Sequence, residues 1–350
     1  MRTEYIITMD THCSTTDVCI KTAGGKLVKR AHLTTGIPQL RELIGSVPRP
    51  RRVIFEEGSL AGWLYRNLKG HADEVIVCDP RRNAHVAKDG DKDDAIDAQK
   101  LNDLYRGGFI KVVHQQASAA KAAAKQVVGM YHDRVARRIS EGNQLLALAK
   151  RWGVMLRSQS LLDGKGEQWL KSQLEAAEVA AEVVEIAQDL WKMFERALEQ
   201  EHKLHGQLCQ MVRGDKVMSR VAELPGYGPV RAATLVTYLD TPWRFKSKAA
   251  LWKYVGIGLR RKKSGDGLDV LGVEQECNRL LRNVVIGAAQ SAIGQQENVF
   301  ARRYARWMMS GLSSRNARRN VAREQVSAIW GMWKSDKAFD AGLLHDPSEK

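Results

Sequence analysis

Two short apolar runs near the N-terminus, each ending on an acid, constrain this chain more than any other feature. Tyr5-Ile6-Ile7-Thr8-Met9 leads into Asp10, and Arg52-Val53-Ile54-Phe55 leads into Glu56. Both runs have the length and the β-branched or aromatic content of buried strands. A core strand gains nothing in packing from a carboxylate at its C-terminal end. Asp94 and Asp97 follow, three residues apart at the start of a helical pattern marked by Ile96, Leu101 and Leu104, so both fall on one face of its first turn. Taken singly, each acid is more at home in a solvated loop. Four of them converging would repel one another and resist burial unless a cation lay between them. Hard oxygen donors suit Mg2+ or Mn2+, and two-metal sites use shared carboxylates to hold ions about 4 Å apart for phosphoryl transfer.

The elements between these acids have a recognisable order. Asp17 to Lys21, a Gly24-Gly25 turn and Lys26 to Leu33 read as a hairpin. Leu60 to Leu68 reads as a helix, and Val75-Ile76-Val77 as a strand closed by Asp79-Pro80. Three antiparallel strands, helix, strand, helix, strand and a helix bearing the last acids is ribonuclease H-like order. Asp89, Asp91 and Asp93 also suggest an EF-hand loop. That reading fails, because Asp94 takes the position that requires Gly and Lys100 the position of the bidentate Glu.

The chain resembles the DEDD transposases of bacterial insertion sequences, which have a RuvC-like N-terminal domain and a serine-bearing C-terminal domain and include pilin-gene invertases. The resemblance rests on Met9-Asp10-Thr11-His12, on Val53-Ile54-Phe55-Glu56 with Trp63 and Leu68 following, and on Lys92-Asp93-Asp94-Ala95-Ile96-Asp97-Ala98. It implies that Asp10, Glu56, Asp94 and Asp97 form the family's acidic tetrad. Glu57 stands beside Glu56 as an alternative ligand, and the spacing to Trp63 and Leu68 favours Glu56.

Composition agrees with an anionic partner. The 350 residues carry a formal charge of +15 with a pI near 9.6, for which nucleic acid is the default in a soluble chain. No apolar stretch approaches the length of a membrane span and the N-terminus lacks a signal-peptide layout, so the expectation is a cytoplasmic protein without a membrane partner. Cys13, Cys19, Cys78, Cys209 and Cys277 form no CxxC pair and are expected as reduced, mostly buried thiols.

The expected fold class is therefore α/β plus all-α: a RuvC-like domain over residues 1–115, a helical or coiled-coil segment over 116–213, a mainly helical domain over 214–335 and a tail over 336–350. Long helices are expected from about Ala117 to Trp152 and from about Glu167 to Val212, separated by Asp163-Gly164-Lys165-Gly166. The near-heptad series Leu170, Leu174, Ala177, Ala181, Val184, Trp191, Leu198 predicts an antiparallel helical hairpin or an intersubunit coiled coil. Residues 167–213 hold nine acids against five lysines and arginines, so this segment is a scaffold rather than a phosphate track. Residues 214–350 hold 23 lysines and arginines against 13 acids, concentrating the nucleic-acid-facing charge.

That basic end opens on Leu224-Pro225-Gly226-Tyr227-Gly228-Pro229. A Pro-Gly-x-Gly turn into a helix exposes N–H groups that can hold a phosphate, which makes Gly226 and Gly228 candidates; a plain interhelical turn is the alternative. Trp243 to Leu251, Tyr254 to Gly258 and Arg260-Arg261-Lys262-Lys263-Ser264-Gly265 resemble the transposase domain of the same family. The resemblance gives Ser264 the role of nucleophile, with Arg260, Arg261, Lys262 and Lys263 placed to hold the scissile phosphate. Asn278-Arg279-Leu280-Leu281-Arg282 matches the family's Asn-x-x-Leu-Arg helix. Arg279, Arg282, Arg302, Arg303 and Arg306, followed by Arg315, Arg318, Arg319 and Arg323 among Trp307, Trp330 and Trp333, suit phosphate contacts and base stacking, or a surface helix over buried tryptophans.

The function implied is DNA strand cleavage and exchange by an insertion-sequence recombinase through bound Mg2+ or Mn2+ and a phosphoserine intermediate. The resemblance further implies a structured guide RNA from the element, a homo-oligomer (dimer or tetramer) and association with the nucleoid during reaction. Two alternatives stand beside it: a RuvC-like junction endonuclease that uses water alone, and a nonenzymatic nucleic-acid scaffold.

Overall fold

The protein is described from a computed structural model, in which residues 3–83, 94–162, 166–262, 270–273, 276–295 and 297–344 are placed. The chain divides into two compact units, Met1–Ala122 and Ala123–Lys350. It is mixed α/β, with a five-stranded sheet in the first unit and helices dominating the second.

The first unit runs β1 (Tyr5–Thr11), β2 (Thr15–Thr22), β3 (Leu27–Thr34), α1 (Ile37–Gly45), β4 (Arg51–Glu56), α2 (Ala61–Leu68), β5 (Glu74–Cys78), the single turn α3 (Pro80–Asn83) and α4 (Asp94–Arg106). The sheet order is β3-β2-β1-β4-β5, with β1–β2 and β2–β3 antiparallel and β1–β4 and β4–β5 parallel. This order is consistent with a ribonuclease H-like domain. Both faces of the centre are covered, which is why its strands read as continuous apolar runs rather than alternating ones. Ile7, Met9, Val53 and Phe55 pack against Leu40, Ile44, Leu64 and Leu68 of α1 and α2, while Ile6, Ile54, Ile76 and Cys78 meet Leu101 of α4.

Polar groups fix α4 on its face. The Thr8 hydroxyl donates to the Ala98 carbonyl (2.6 Å), and the Asn102 amide donates to the Ile6 carbonyl (3.2 Å); Thr8 and Asn102 are both fully buried. Lys21 of β2 pairs with Asp103 (2.7 Å), Arg30 of β3 donates to Gln99 and Arg52 of β4 donates to Tyr105. A buried hydrogen bond contributes about 1 kcal/mol, and an orphaned partner costs more, so this set specifies one position of α4.

The second unit is built on α5 (Ala119–Arg151), α6 (Gly166–Ala176) and α7 (Ala181–Gly214), followed by α8 (Lys216–Ala222), α9 (Gly228–Leu239), α10 (Lys248–Tyr254), the hairpin β6 (Leu259–Lys262) and β7 (Val270–Val273), α11 (Arg279–Gly294), α12 (Val299–Met309) and α13 (Ser314–Ser335). α5 and α7 pack antiparallel. Val128 shares a core with Leu208, Arg138 pairs with Glu201 (2.6 Å), and Leu145 and Ala149 meet Trp191 and Phe194.

The single helix expected from Glu167 to Val212 is instead two. The chain breaks after α6, with Glu178 at φ 54° and the Val179 N–H bonded to the Leu174 carbonyl (3.1 Å). The break lets Leu170 and Leu174 fold back onto Val184 and Trp191, so burial overrides an uninterrupted run of helix formers. No disulfide joins the cysteines. Cys19 and Cys78 are buried within strands, but Cys13 is exposed and Cys209 and Cys277 are half-buried, fewer buried thiols than expected.

α8, α9, α10, α11 and α13 enclose a second core around Leu235, Val285, Val321 and Ile329. On its edge the Thr234 hydroxyl donates to the Val230 carbonyl (2.7 Å), so its oxygen accepts from His132 Nε2 (2.9 Å). Burial lowers the His132 pKa below its ordinary 6.5. The unfolded chain therefore binds a proton that the folded one refuses, and stability falls as pH drops below about 6.5, levelling off once the folded imidazole also protonates. Equilibrium denaturation between pH 7 and 5 should show this slope reduced in His132→Gln. Among the described residues no helix is long and apolar enough to cross a membrane.

Candidate active site

Strand pleating places the first two acids. Along β1 the even-numbered residues Ile6 and Thr8 face α4, and along β4 Ile54 does so, while Val53 and Phe55 face α1 and α2. Side chains alternate with period two, so Asp10 and Glu56 both project to the α4 side. They stand one residue past the last register pair of the parallel strands, Met9 with Phe55, and so end neighbouring strands side by side. Glu57 lies beyond the end of β4, exposed, with its N–H bonded to the Cys78 carbonyl (2.8 Å).

α4 runs antiparallel to β1 above them. Asn102 meets Ile6 and Ala98 meets Thr8, two strand residues per helical turn. Two residues of strand advance about 6.6 Å and four of helix about 6 Å, so one further step brings the first residue of α4, position 94, level with Asp10. Asp97 sits in that first turn, half exposed, with Lys100 3.9 Å away. The side chain of Asp94 lies outside the described residues.

Two neighbours of Asp10 were not among the candidate site residues. Asp17 is the cross-strand partner of Asp10, and its buried carboxylate accepts from His32 Nδ1 on β3 at 3.0 Å. His12, just past the end of β1, lies 3.3 Å from Asp10. Alternation along β2 contains the signal for Asp17, but only once the hairpin register is known. Among the described residues no three His, Cys, Asp or Glu side chains stand together closely enough to hold a metal ion. The three described tetrad members share a face and an end of the sheet without closing into such a cluster. Their donor set is entirely oxygen, which fits Mg2+ or Mn2+ in chemistry.

The C-terminal candidates separate into structural and exposed groups. Gly226 is buried at φ 85° against α11, its carbonyl accepts from Arg231, and the Pro225 carbonyl accepts from Gln325 (2.9 Å). Between the two glycines Tyr227 is fully buried, and its phenol pKa is pushed far up by burial. Gly228, at φ 62°, has open space where a Cβ would point. Asn278 caps α11, accepting from the Leu281 N–H (3.0 Å). Arg303, expected on a phosphate, is buried and paired with Glu324 at 2.6 Å. Arg279, Arg302 and Arg306 are exposed, and Arg282 is half-buried. Trp307, Trp330 and Trp333 lean on the core, with Trp330 donating to the Pro242 carbonyl (2.7 Å). Arg260 is exposed on β6; the backbone at Arg261 and Lys262 completes that strand, while Lys263 and Ser264 lie outside the described residues.

A ribonuclease H-like sheet with acids ending β1 and β4 beneath the start of a docked helix defines the class to which the first unit belongs. Comparison with known proteins then makes the assignment specific. A family model of DEDD transposases of the IS110 type matches residues 7–152, and the model of the IS116/IS110/IS902 transposase family matches residues 218–305. The chain belongs to the IS110 family of DEDD transposases. It is also 25% identical over 261 residues to y4pF/y4sB of Sinorhizobium fredii (strain NBRC 101917 / NGR234), a protein named as a transposase; the match spans 73% of this chain and 65% of that protein.

Proposed function

We propose that the protein is the recombinase of an insertion sequence, cutting and rejoining DNA strands, with Asp10, Glu56, Asp94 and Asp97 as metal ligands and Ser264 as nucleophile. The observation that carries this reading is the side-by-side placement of Asp10 and Glu56 at the ends of β1 and β4, under the first turn of α4. Family membership implies dependence on a divalent ion, which we assign as Mg2+ or Mn2+. When bound, such an ion supplies a Lewis acid that offsets charge on the reacting phosphate.

The chain's own residues do the remainder. Asp10 and Glu56 fix one side of the site on rigid strands, and the polar docking of α4 fixes the other. Ser264 Oγ loses its proton and attacks phosphorus, forming a phosphoserine as one bridging P–O bond breaks and the departing hydroxyl takes up a proton. The diester energy is kept in that bond for rejoining. Arg260, Arg261, Lys262 and Lys263 hold the phosphate, and Gly228, Arg279, Arg282, Arg302 and Arg306 serve the flanking DNA. We take residues 1–115 as the catalytic domain, 116–213 as a scaffold whose helices pair between subunits of a dimer or tetramer, and 214–335 as the strand-exchange domain. A structured RNA from the element would choose the sites, and the reaction would take place in the cytoplasm at the nucleoid.

The test is a denaturing gel of the protein, purified with any RNA it carries, after incubation with element-end DNA and Mg2+. A covalent protein-DNA band in wild type, absent from Ser264→Ala and Asp10→Ala, is the expected result. Free cleaved DNA that survives Ser264→Ala but not Asp10→Ala would replace this reading with the water-dependent nuclease. Binding without cleavage in every case would leave only a scaffold.

A further inference from the structure

We infer that Arg282, Arg315, Arg319 and Arg323 form a cradle for a nucleic-acid phosphate at the root of the β6–β7 hairpin. Arg282 comes from α11 and the other three from successive turns of α13. Among the described residues none of the four has a carboxylate partner. Arg323 donates to the Ile257 carbonyl (2.9 Å) and to Asn320 Oδ1 (3.0 Å), and Arg319 reaches Asn316 Oδ1 (3.5 Å). Glu324, the acid beside Arg323 in sequence, is paired with Arg303. One guanidinium nitrogen of Arg323, Nη2, is buried with no hydrogen-bond partner. Burial and then the charges of Arg315 and Arg282 lower the Arg319 pKa, and burial followed by Arg319 does the same to Arg323.

Crowded, partly desolvated cations with neutral partners destabilise the fold they sit in. A phosphate supplies what is missing: negative charge and several acceptor oxygens that match the guanidinium fork. Its place is equally specific. Gly256, at φ 77°, lies directly against the Arg282 stem, and Arg323 holds the next carbonyl, so both arginines grip the turn that starts β6. Beside it opens a cavity of about 450 Å³ lined by Trp252, Lys253, Leu259 and Arg323. The Trp252 indole is steadied by its N–H bond to Ser327 Oγ (3.1 Å) and has the Arg323 guanidinium 5.8 Å from its ring. A phosphate on the arginines with an unpaired base against Trp252 is the fit of a single strand.

This deepens the recombinase reading by naming where a strand is gripped, but its test needs no strand transfer. Thermal unfolding of the full chain is followed with inorganic pyrophosphate, then with oligothymidylate and oligouridylate of equal length. Wild type should gain about 5 °C or more at roughly 100 times the dissociation constant of the anion. Arg319→Gln and Arg315→Gln should lose most of that gain, while Lys171→Gln on α6 keeps it. Arg315 is exposed, so its variant reads the same increment if Arg319→Gln fails to fold. A gain unchanged in both arginine variants overturns the cradle. A loss for pyrophosphate with oligonucleotide gains untouched overturns its assignment to nucleic acid. If the oligonucleotide gains are lost too, the arm with the larger wild-type gain identifies the strand as DNA or RNA.

Discussion

Glu56→Gln should abolish strand cleavage, a loss of roughly 10³-fold or more, whereas Glu57→Gln should leave cleavage close to wild type. The two residues are adjacent and identical in chemistry, so only their place on the sheet distinguishes them. Glu56 ends β4 on the face that carries Ile54 and Thr8, beside Asp10 and beneath α4; Glu57 has left the strand and is exposed. Glutamine keeps the size and one acceptor oxygen of glutamate but not its charge, so Glu56→Gln removes the site's electrostatics with little disturbance of Ile54 and Phe55. The measurement is cleavage of element-end DNA on a denaturing gel across a Mg2+ titration, with thermal melting to show that both variants fold. Equal losses in the two variants, or loss only in Glu57→Gln, would sink the assignment based on strand alternation.

That contrast also marks how far sequence reaches. The acids ending β1 and β4 were legible because fully buried parallel strands leave continuous apolar runs, and a charge closing such a run stands out. The order of elements along the chain followed from the turn signals and the spacing. The docking of α4 was not legible: Asn102, Lys21 and Arg30 are polar, and a reading built on apolar periodicity assigns them to solvent although Asn102 and Lys21 are buried, while Thr8, inside a buried run, gave no sign that its hydroxyl holds Ala98. Ile96, expected in the buried stripe, is exposed, while Ala98 and Asn102 carry the contact. The break at Glu178 was hidden because no glycine or proline marks it, and the core it allows, Leu170 and Leu174 in one cluster with Val184 and Trp191, is formed by residues on both sides of it. Arg303 read as a phosphate ligand because its partner Glu324 is distant in sequence. The arginines of α13 were visible as a series, but not that Arg319 and Arg323 converge with Arg282 across two helices.

Gly226→Ala should cost the second unit about 3 kcal/mol or more, whereas Gly228→Ala should cost only about 1–2 kcal/mol. Both glycines have positive φ, so both substitutions place an L side chain in the left-handed region. Their surroundings differ. A Cβ on Gly226 would stand 2.1 Å from the Ala288 carbonyl oxygen and 2.7 Å from the Ala292 nitrogen, both backbone atoms of α11 that cannot swing aside; a Cβ on Gly228 would meet nothing within 4 Å. Relief would require α9 and α11 to separate, opening the core around Leu235 and Val285 and straining the Arg231 and Gln325 bonds to the turn. For a unit of this size the larger cost lowers the melting temperature by roughly 6–12 °C. Denaturant melts of the two variants distinguish packing from phosphate binding as the reason for glycine at 226. If Gly226→Ala melts like Gly228→Ala and is set apart from it only by weakened DNA binding, the packing account is wrong and the turn's first duty is to the phosphate.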